Sequence, residues 1–224
     1  NCDVVLQGNC DEYFTSNIDL QHQNEQEIKR ITWNKSKLTK EDIEYLSNLP
    51  YCFEFYMSGR LVRLFHATPE KINDFVGNID SIDRLYKLFL PSNNTNSNQL
   101  ADIVIYGHIH TPFIQRIYNR TIINSGSVGN SIDVFRNDKK DGDVRNTTVA
   151  NYLIICGKYD SKNINEKISY ELVSIPYNIE KELASNIDNI EMSSYEEEIT
   201  NGKYRDMEKI YKSFKIRGID KNKI

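Results

Sequence analysis

The 224 residues include only four histidines, four cysteines, five prolines and one tryptophan. Cys2, Cys10, Cys52 and Cys156 are scattered, with no Cys-x-x-Cys pair, which argues against a disulfide frame or a cysteine-built structural zinc. That usage points to a reducing cytoplasm. A basic excess is also lacking: 28 Lys and Arg stand against 32 Asp and Glu, so no bulk nucleic-acid binding is expected. No apolar run approaches the ~18 residues of a membrane span, and no basic-then-apolar leader pattern opens the sequence, so no membrane partner is expected. No repeat of fixed period is present. With 39% hydrophobic and 11% aromatic residues, the chain can still build a globular core.

The sparse histidines stand at informative places. His66 follows the strand-like run Leu61-Val62-Arg63-Leu64-Phe65, and His108 and His110 follow Ile103-Val104-Ile105. On an extended segment, side chains two apart share a face, so His108 and His110 have a metal-ligand spacing. Gly8-Asn9-Cys10-Asp11 follows a further apolar run, Val4-Val5-Leu6, read as a strand. Taken singly, His66 reads as a core or surface histidine, Gly8 to Asp11 as an ordinary turn and Cys10 as a small buried hydrophobe. Three polar clusters at three strand exits together indicate one site. Carboxamide oxygen, imidazole and carboxylate are borderline-hard ligands suited to Mn, Fe, Zn or Ni. Two such ions about 3.5–4 Å apart can activate a water and bind phosphoryl oxygens, without a covalent intermediate.

The rest of the chain frames these clusters. Ile28, Ile31, Trp33 and Leu38 have helical spacing between Asn24 and Lys37, and Thr39-Lys40-Glu41-Asp42 reads as a capping box opening a second helix that Pro50 stops. Residues 52–57 and 60–65 form a hairpin about Ser58-Gly59. Ser81 caps a helix running to Leu90, and Ser92 to Asn98 is a polar exposed loop. A strand at 103–106 precedes a hairpin about Asn119, and the small residues Asn124-Ser125-Gly126-Ser127-Val128-Gly129 let backbone pass close to a neighbour. Residues 137–148 read as a loop, and 152–156 with 168–175 as a last hairpin. Beyond Pro176 the chain is helical and acidic, with Glu196-Glu197-Glu198 read as a solvated face and the helices as plain packing.

The order Gly-Asn-x-Asp at 8–11, strand-then-His66, Gly-His-x-His at 107–110 and Ser-Gly-Ser-Val-Gly at 125–129 resembles the calcineurin-like metallophosphoesterase superfamily, in particular its small bacterial phosphodiesterase-like branch. The resemblance covers residues 4 to 160. It implies an α+β fold, a four-layer αββα sandwich of two mixed sheets flanked by helices, with a dinuclear metal site at the strand C-termini. It places Asn9, His66 and His108 on one ion and His110 on the other, two divalent ions in all, manganese first. Cys10 stands where the family has a catalytic histidine, and Asp11 beside it orients the loop; these two are the expected catalytic positions. Asn124 to Gly129 matches the family's Asn-Pro-Gly-Ser turn with Ser125 in place of proline, and Arg145 is a candidate substrate contact.

The family's opening Asp-x-His and Gly-Asp motifs do not occur before Gly8. The chain therefore resembles a member lacking its first βα units, with residues 1–176 as a partial phosphoesterase domain and 177–224 as a C-terminal helical extension packed on it. The activity implied is metal-dependent hydrolysis of phosphoesters, as a phosphodiesterase or phosphatase on small phosphorylated molecules. A dinucleoside polyphosphate hydrolase is an alternative, and so is a non-catalytic scaffold of the same fold, like the retromer subunit. A homo-oligomer is left open.

Overall fold

The structure, a computed structural model, describes residues 2–15, 25–131, 149–185, 192–201, 212, 215, 216 and 218. Three helices come first: α1 (Asn9–Thr15), α2 (Glu25–Lys35) and α3 (Lys40–Ser47). They are followed by β1 (Cys52–Met57), β2 (Arg60–Phe65), α4 (Ile82–Lys87), β3 (Ile103–Tyr106), β4 (Phe113–Ile117) and β5 (Arg120–Asn124). The order closes with β6 (Ala150–Cys156), β7 (Ser169–Ile175), α5 (Ile179–Ser185) and α6 (Met192–Asn201). The loop expected at 137–148, with Arg145, lies outside the described residues. Among the described residues no helix is long and apolar enough to cross a membrane.

Local chemistry accounts for the elements near the site. Thr39 and Asp42 cap α3 reciprocally, each side chain bonding the other's backbone N–H, which satisfies two otherwise orphaned donors. Ser81 Oγ accepts the Arg84 N–H at 3.3 Å and starts α4. This helix ends at Lys87 rather than Leu90, because the backbone tightens into i→i+3 bonds at Leu88, Phe89 and Leu90. Both two-residue hairpin turns carry positive φ at each central position: Ser58 and Gly59 between β1 and β2, Tyr118 and Asn119 between β4 and β5. Such turns match the twist of paired strands.

Five strands form one mixed sheet in the order β1-β2-β3-β5-β4, with β2, β3 and β5 parallel at its centre. β3 is buried along its whole length, as expected of a parallel strand covered on both faces. Its residues alternate between two cores. Val104 and Tyr106 join Phe65, Leu85, Leu88, Phe89 and Ile122 on the α4 side. Ile103 and Ile105 join Val62 and Ile123 against Leu153, Ile155, Tyr170 and Leu172 of the antiparallel β6–β7 sheet. The α+β sandwich expected from the resemblance is the fold class observed; within the described residues its second sheet is this two-stranded pair.

Arg63 is fully buried on the α4 face of β2. Its Nε donates to Glu54 Oε1 across the strand pair at 2.5 Å, and its terminal nitrogens donate to the carbonyls of Phe89 (2.9 Å), Leu90 (3.0 Å) and Gln99 (2.7 Å). One side chain thereby ties the end of α4 and the polar loop before β3 to the sheet.

One expected element is not formed. Residues 2–8 contain no strand, and Val4 and Val5 are each 39% exposed. The Gln7 N–H donates to the Pro50 carbonyl at 3.0 Å, and no described strand shares a ladder with Val4 to Leu6. Where a turn was expected at Gly8 to Asp11, helix α1 begins at Asn9.

Candidate metal centre

The parallel pair β2–β3 brings the histidines together. Leu64 is opposite Ile105, and the Gly107 N–H donates to the His66 carbonyl at 3.0 Å, so the two strand exits run side by side. C-terminal ends of parallel strands are where open α/β sheets place their sites. Asn9 arrives from the first turn of α1. The Gly8 N–H donates to Asp11 Oδ2 at 2.7 Å and the Asp11 N–H to the Gly8 carbonyl at 3.1 Å, fixing that turn from both sides.

Three donor atoms meet at this point. His66 Nε2 lies 2.8 Å from Asn9 Oδ1 and 3.2 Å from His108 Nδ1. Burial holds both imidazoles below their ordinary pKa. For His108, burial together with His66 and His110 pushes the value down to about 4, against the pull of a bond to the Asn73 backbone and of Asp74. For His66, burial acts first and His110 adds to it, while Asp11 opposes. Both rings are thus neutral at pH 7 with lone pairs to offer, the form a metal requires. The donor set of carboxamide and imidazoles fits a borderline divalent ion. Among the described residues no three His, Cys, Asp or Glu side chains form such a group, and the third donor here is the Asn9 carboxamide.

His108 and His110 do not share the face of an extended segment, as their spacing suggested. β3 ends at Tyr106, and each histidine is the central residue of a tight three-residue turn with positive φ, 63° at His108 and 59° at His110. The Ile109 N–H donates to the Gly107 carbonyl and the Thr111 N–H to the Ile109 carbonyl, each at 2.7 Å. γ-turns of this sign are rare and strained, and non-glycine residues held at positive φ concentrate at functional sites. Asn124, fully buried at the end of β5, clamps them. Its Nδ2 donates to the Gly107 carbonyl at 2.5 Å, and its Oδ1 accepts the Gly126 N–H at 2.9 Å.

His110 is set apart from the other two. Its Nδ1 donates to the Asn130 carbonyl at 2.6 Å, which puts the ring's lone pair on Nε2. Burial lowers its pKa, with that carbonyl opposing. The chain reaches Asn130 through Gly126, whose φ is +75° and whose Cβ, were it present, would stand 2.8 Å from Asn151 Cβ. The close passage expected of these small residues is therefore real.

Cys10 follows Asn9 on α1 and keeps exposed surface rather than acting as a buried hydrophobe. Atoms packed around it push its thiol up, and Arg30 pulls the other way. Asn9 Nδ2 points at Cys10 Sγ, 3.8 Å away. Asp11 spends one oxygen on the Gly8 amide. Four features of this region carried no signal in the sequence. Asn73 bonds His108 and Asn130 bonds His110 through backbone, so no side-chain pattern marks them as partners of the histidines. Phe75 stands edge-on to His108, with ring centroids 6.4 Å apart. Glu198, read as part of a solvated acidic face, is fully buried against Asn130, while Glu196 and Glu197 are exposed.

Neutral imidazoles and a carboxamide gather at the C-terminal edge of parallel strands, within a two-sheet sandwich, a donor set that fits a divalent ion. The sequence profile of the calcineurin-like phosphoesterase superfamily domain matches residues 3–140, and the chain belongs to that superfamily of metal-dependent phosphoester hydrolases. An uncharacterized protein of Methanocaldococcus jannaschii is 25% identical over 189 residues, 75% of this chain and 70% of the relative. Two crystal structures share the fold. A hypothetical protein of Pyrococcus horikoshii OT3 has a TM-score of 0.57 at 13% identity, covering 89% of this chain and 73% of its own. A metallophosphoesterase of Sphaerobacter thermophilus has a TM-score of 0.56 at 19% identity, covering 88% and 76%.

Proposed function

We propose that this chain is a phosphodiesterase or phosphatase acting on small phosphorylated molecules through two divalent ions, with manganese first and iron, zinc or nickel as alternatives. The observation that carries the reading is the position of His66 Nε2, 2.8 Å from Asn9 Oδ1 and 3.2 Å from His108 Nδ1. These three residues are assigned to one ion, and His110 to the other through the Nε2 lone pair. When bound, such ions lower the pKa of a water toward neutrality and hold phosphoryl oxygens.

The chain's own groups arrange the rest. Burial keeps the imidazoles neutral, so their lone pairs stay available near neutral pH. Asp11 holds the turn that presents Asn9. Cys10, whose raised pKa keeps it a thiol at neutral pH, stands beside Asn9 and is assigned contact with the leaving group. A non-catalytic binding module is the second reading. It is favoured by the absence, among the described residues, of a group of three His, Cys, Asp or Glu at the centre.

Hydrolysis of bis-p-nitrophenyl phosphate in Mn2+ separates the two. The expected result is metal-dependent turnover that falls by more than about 100-fold in His108→Ala, since even outer partners of a metal ligand are worth 10–100-fold. No turnover with Mn2+, Fe2+, Zn2+ or Ni2+ overturns the enzyme reading, and unchanged turnover in the variant overturns the site.

A further inference from the structure

The C-terminal helix α6 reaches the metal centre. Glu198 on this helix is 0% exposed, as is its neighbour Ile199, whereas Glu196 and Glu197 face solvent. A helix that only had to pack would bury apolar side chains here, because a buried carboxylate is costly unless its oxygens are bonded. Glu198 Oε2 accepts a hydrogen bond from Asn130 Nδ2 at 3.3 Å. Asn130 Oδ1 is buried and meets no donor, so the contact with Glu198 orients the amide. The backbone carbonyl of the same Asn130 accepts the His110 Nδ1–H at 2.6 Å. A line of bonds thus runs from the helix through one residue to a histidine of the candidate centre.

We propose that Glu198 is a positioning residue of the metal centre: it holds Asn130, whose carbonyl fixes the Nδ1–H tautomer and the direction of the His110 ring. This rests on the assignment of His110 as a metal ligand. Carbonyl or carboxylate partners on the far nitrogen of a ligating histidine set its tautomer, and losing them costs about 10–100-fold in metal affinity. Glu198 acts one bond further out, and its loss is expected at the lower end of that range. The C-terminal extension would then belong to the working centre and not only to its packing.

The test uses the full chain in four forms: wild type, Glu198→Leu, Glu198→Gln and Asn130→Ala. The glutamine variant keeps an acceptor for Asn130 Nδ2, and the alanine variant keeps the carbonyl that His110 uses while losing the link to Glu198. Nitrogen NMR of labelled histidines in the metal-free protein reads the ring tautomer directly; with only four histidines in the sequence, a His110→Ala spectrum assigns the signal. Wild type and Glu198→Gln should show His110 protonated at Nδ1, and Glu198→Leu and Asn130→Ala a mixture of tautomers. Mn2+ affinity by calorimetry should fall about tenfold in the latter two and be restored in Glu198→Gln. A wild-type tautomer and affinity in both Glu198→Leu and Asn130→Ala overturns the proposal. Should Glu198→Leu fail to fold, Asn130→Ala decides alone. Should wild type bind no Mn2+, the metal reading fails, and the tautomer measurement still decides what Glu198 does to His110.

Discussion

His66 and His108 stand one and two residues past the ends of adjacent parallel strands; the register that pairs Leu64 with Ile105 sets His66 beside Gly107, and His108 in the next turn brings its Nδ1 to 3.2 Å from His66 Nε2. His110 depends on parts far away along the chain. Its Nδ1 partner is 20 residues distant, and the carboxylate that accepts a bond from that residue's amide is 68 residues further on. The first half of the centre therefore comes with the sheet, which any folded form of this chain must build. The second half needs the 126–131 loop as well, where Asn130 meets both His110 and Glu198 of α6. Asn124 joins the two, with one end of its amide on Gly107 and the other on Gly126.

That difference can be attacked from each side. The largest effect should come from Arg63→Met, which strips Glu54 of its ion pair at 6% side-chain exposure and three carbonyls of their donor. Breaking a buried pair by removing one partner costs about 3–5 kcal/mol. Urea denaturation should show that loss; a cost below about 1 kcal/mol, the level of an exposed ion pair, would mean that the sheet does not lean on Arg63. Asn124→Ala comes next and strikes the junction. The half-buried Gly126 N–H loses its acceptor, at about 1 kcal/mol, and amide exchange at Gly126 should quicken while Leu64 and Ile105 stay protected. Equal quickening at all three would erase the distinction between the halves.

The smallest effect concerns the sheet edge, where it can be read without touching the centre. Burial pushes the Cys52 thiol from the ordinary 9.0 to about 11, with Glu54 adding and Arg63 opposing. Between pH 9 and 11 the folded chain therefore holds a proton that the unfolded chain has released, so stability falls as pH rises through that window. Urea midpoints at pH 8 and pH 10 should differ less in Cys52→Ala than in wild type, and an identical slope would rule Cys52 out. At pH 8, Cys52 should also resist thiol reagents until the protein unfolds, while the exposed Cys2 and Cys156 react in the native state.

Most strands and several helix boundaries were legible because their signals are local. The capping box at Thr39 and Asp42, the Ser81 cap, both two-residue turns and the alternation along β3 each occupy a few neighbouring residues. Val4 to Leu6 failed for the complementary reason: a strand exists only beside a partner, and an apolar run cannot supply one. The histidine pair failed in detail. Two-residue spacing implies a shared face only while the backbone stays extended, and at His108 and His110 it turns back on itself twice. Glu198 is buried where its neighbours are exposed, and an acidic run has no internal mark telling which member faces inward.

By itself the sequence determined which residues could carry the chemistry. Three of the four histidines, an Asn-x-Asp run and their order along the chain are covalent facts, and the motif resemblance drawn from them agrees with the superfamily to which the chain belongs. Tertiary structure decided where those groups point. The 3.2 Å approach of His66 and His108, the Asn130 carbonyl that accepts the His110 Nδ1–H and the bond from the Asn130 amide to Glu198 arise between segments distant in sequence. Contacts of that kind follow from how strands pair and layers pack, and no short window of residues contains them.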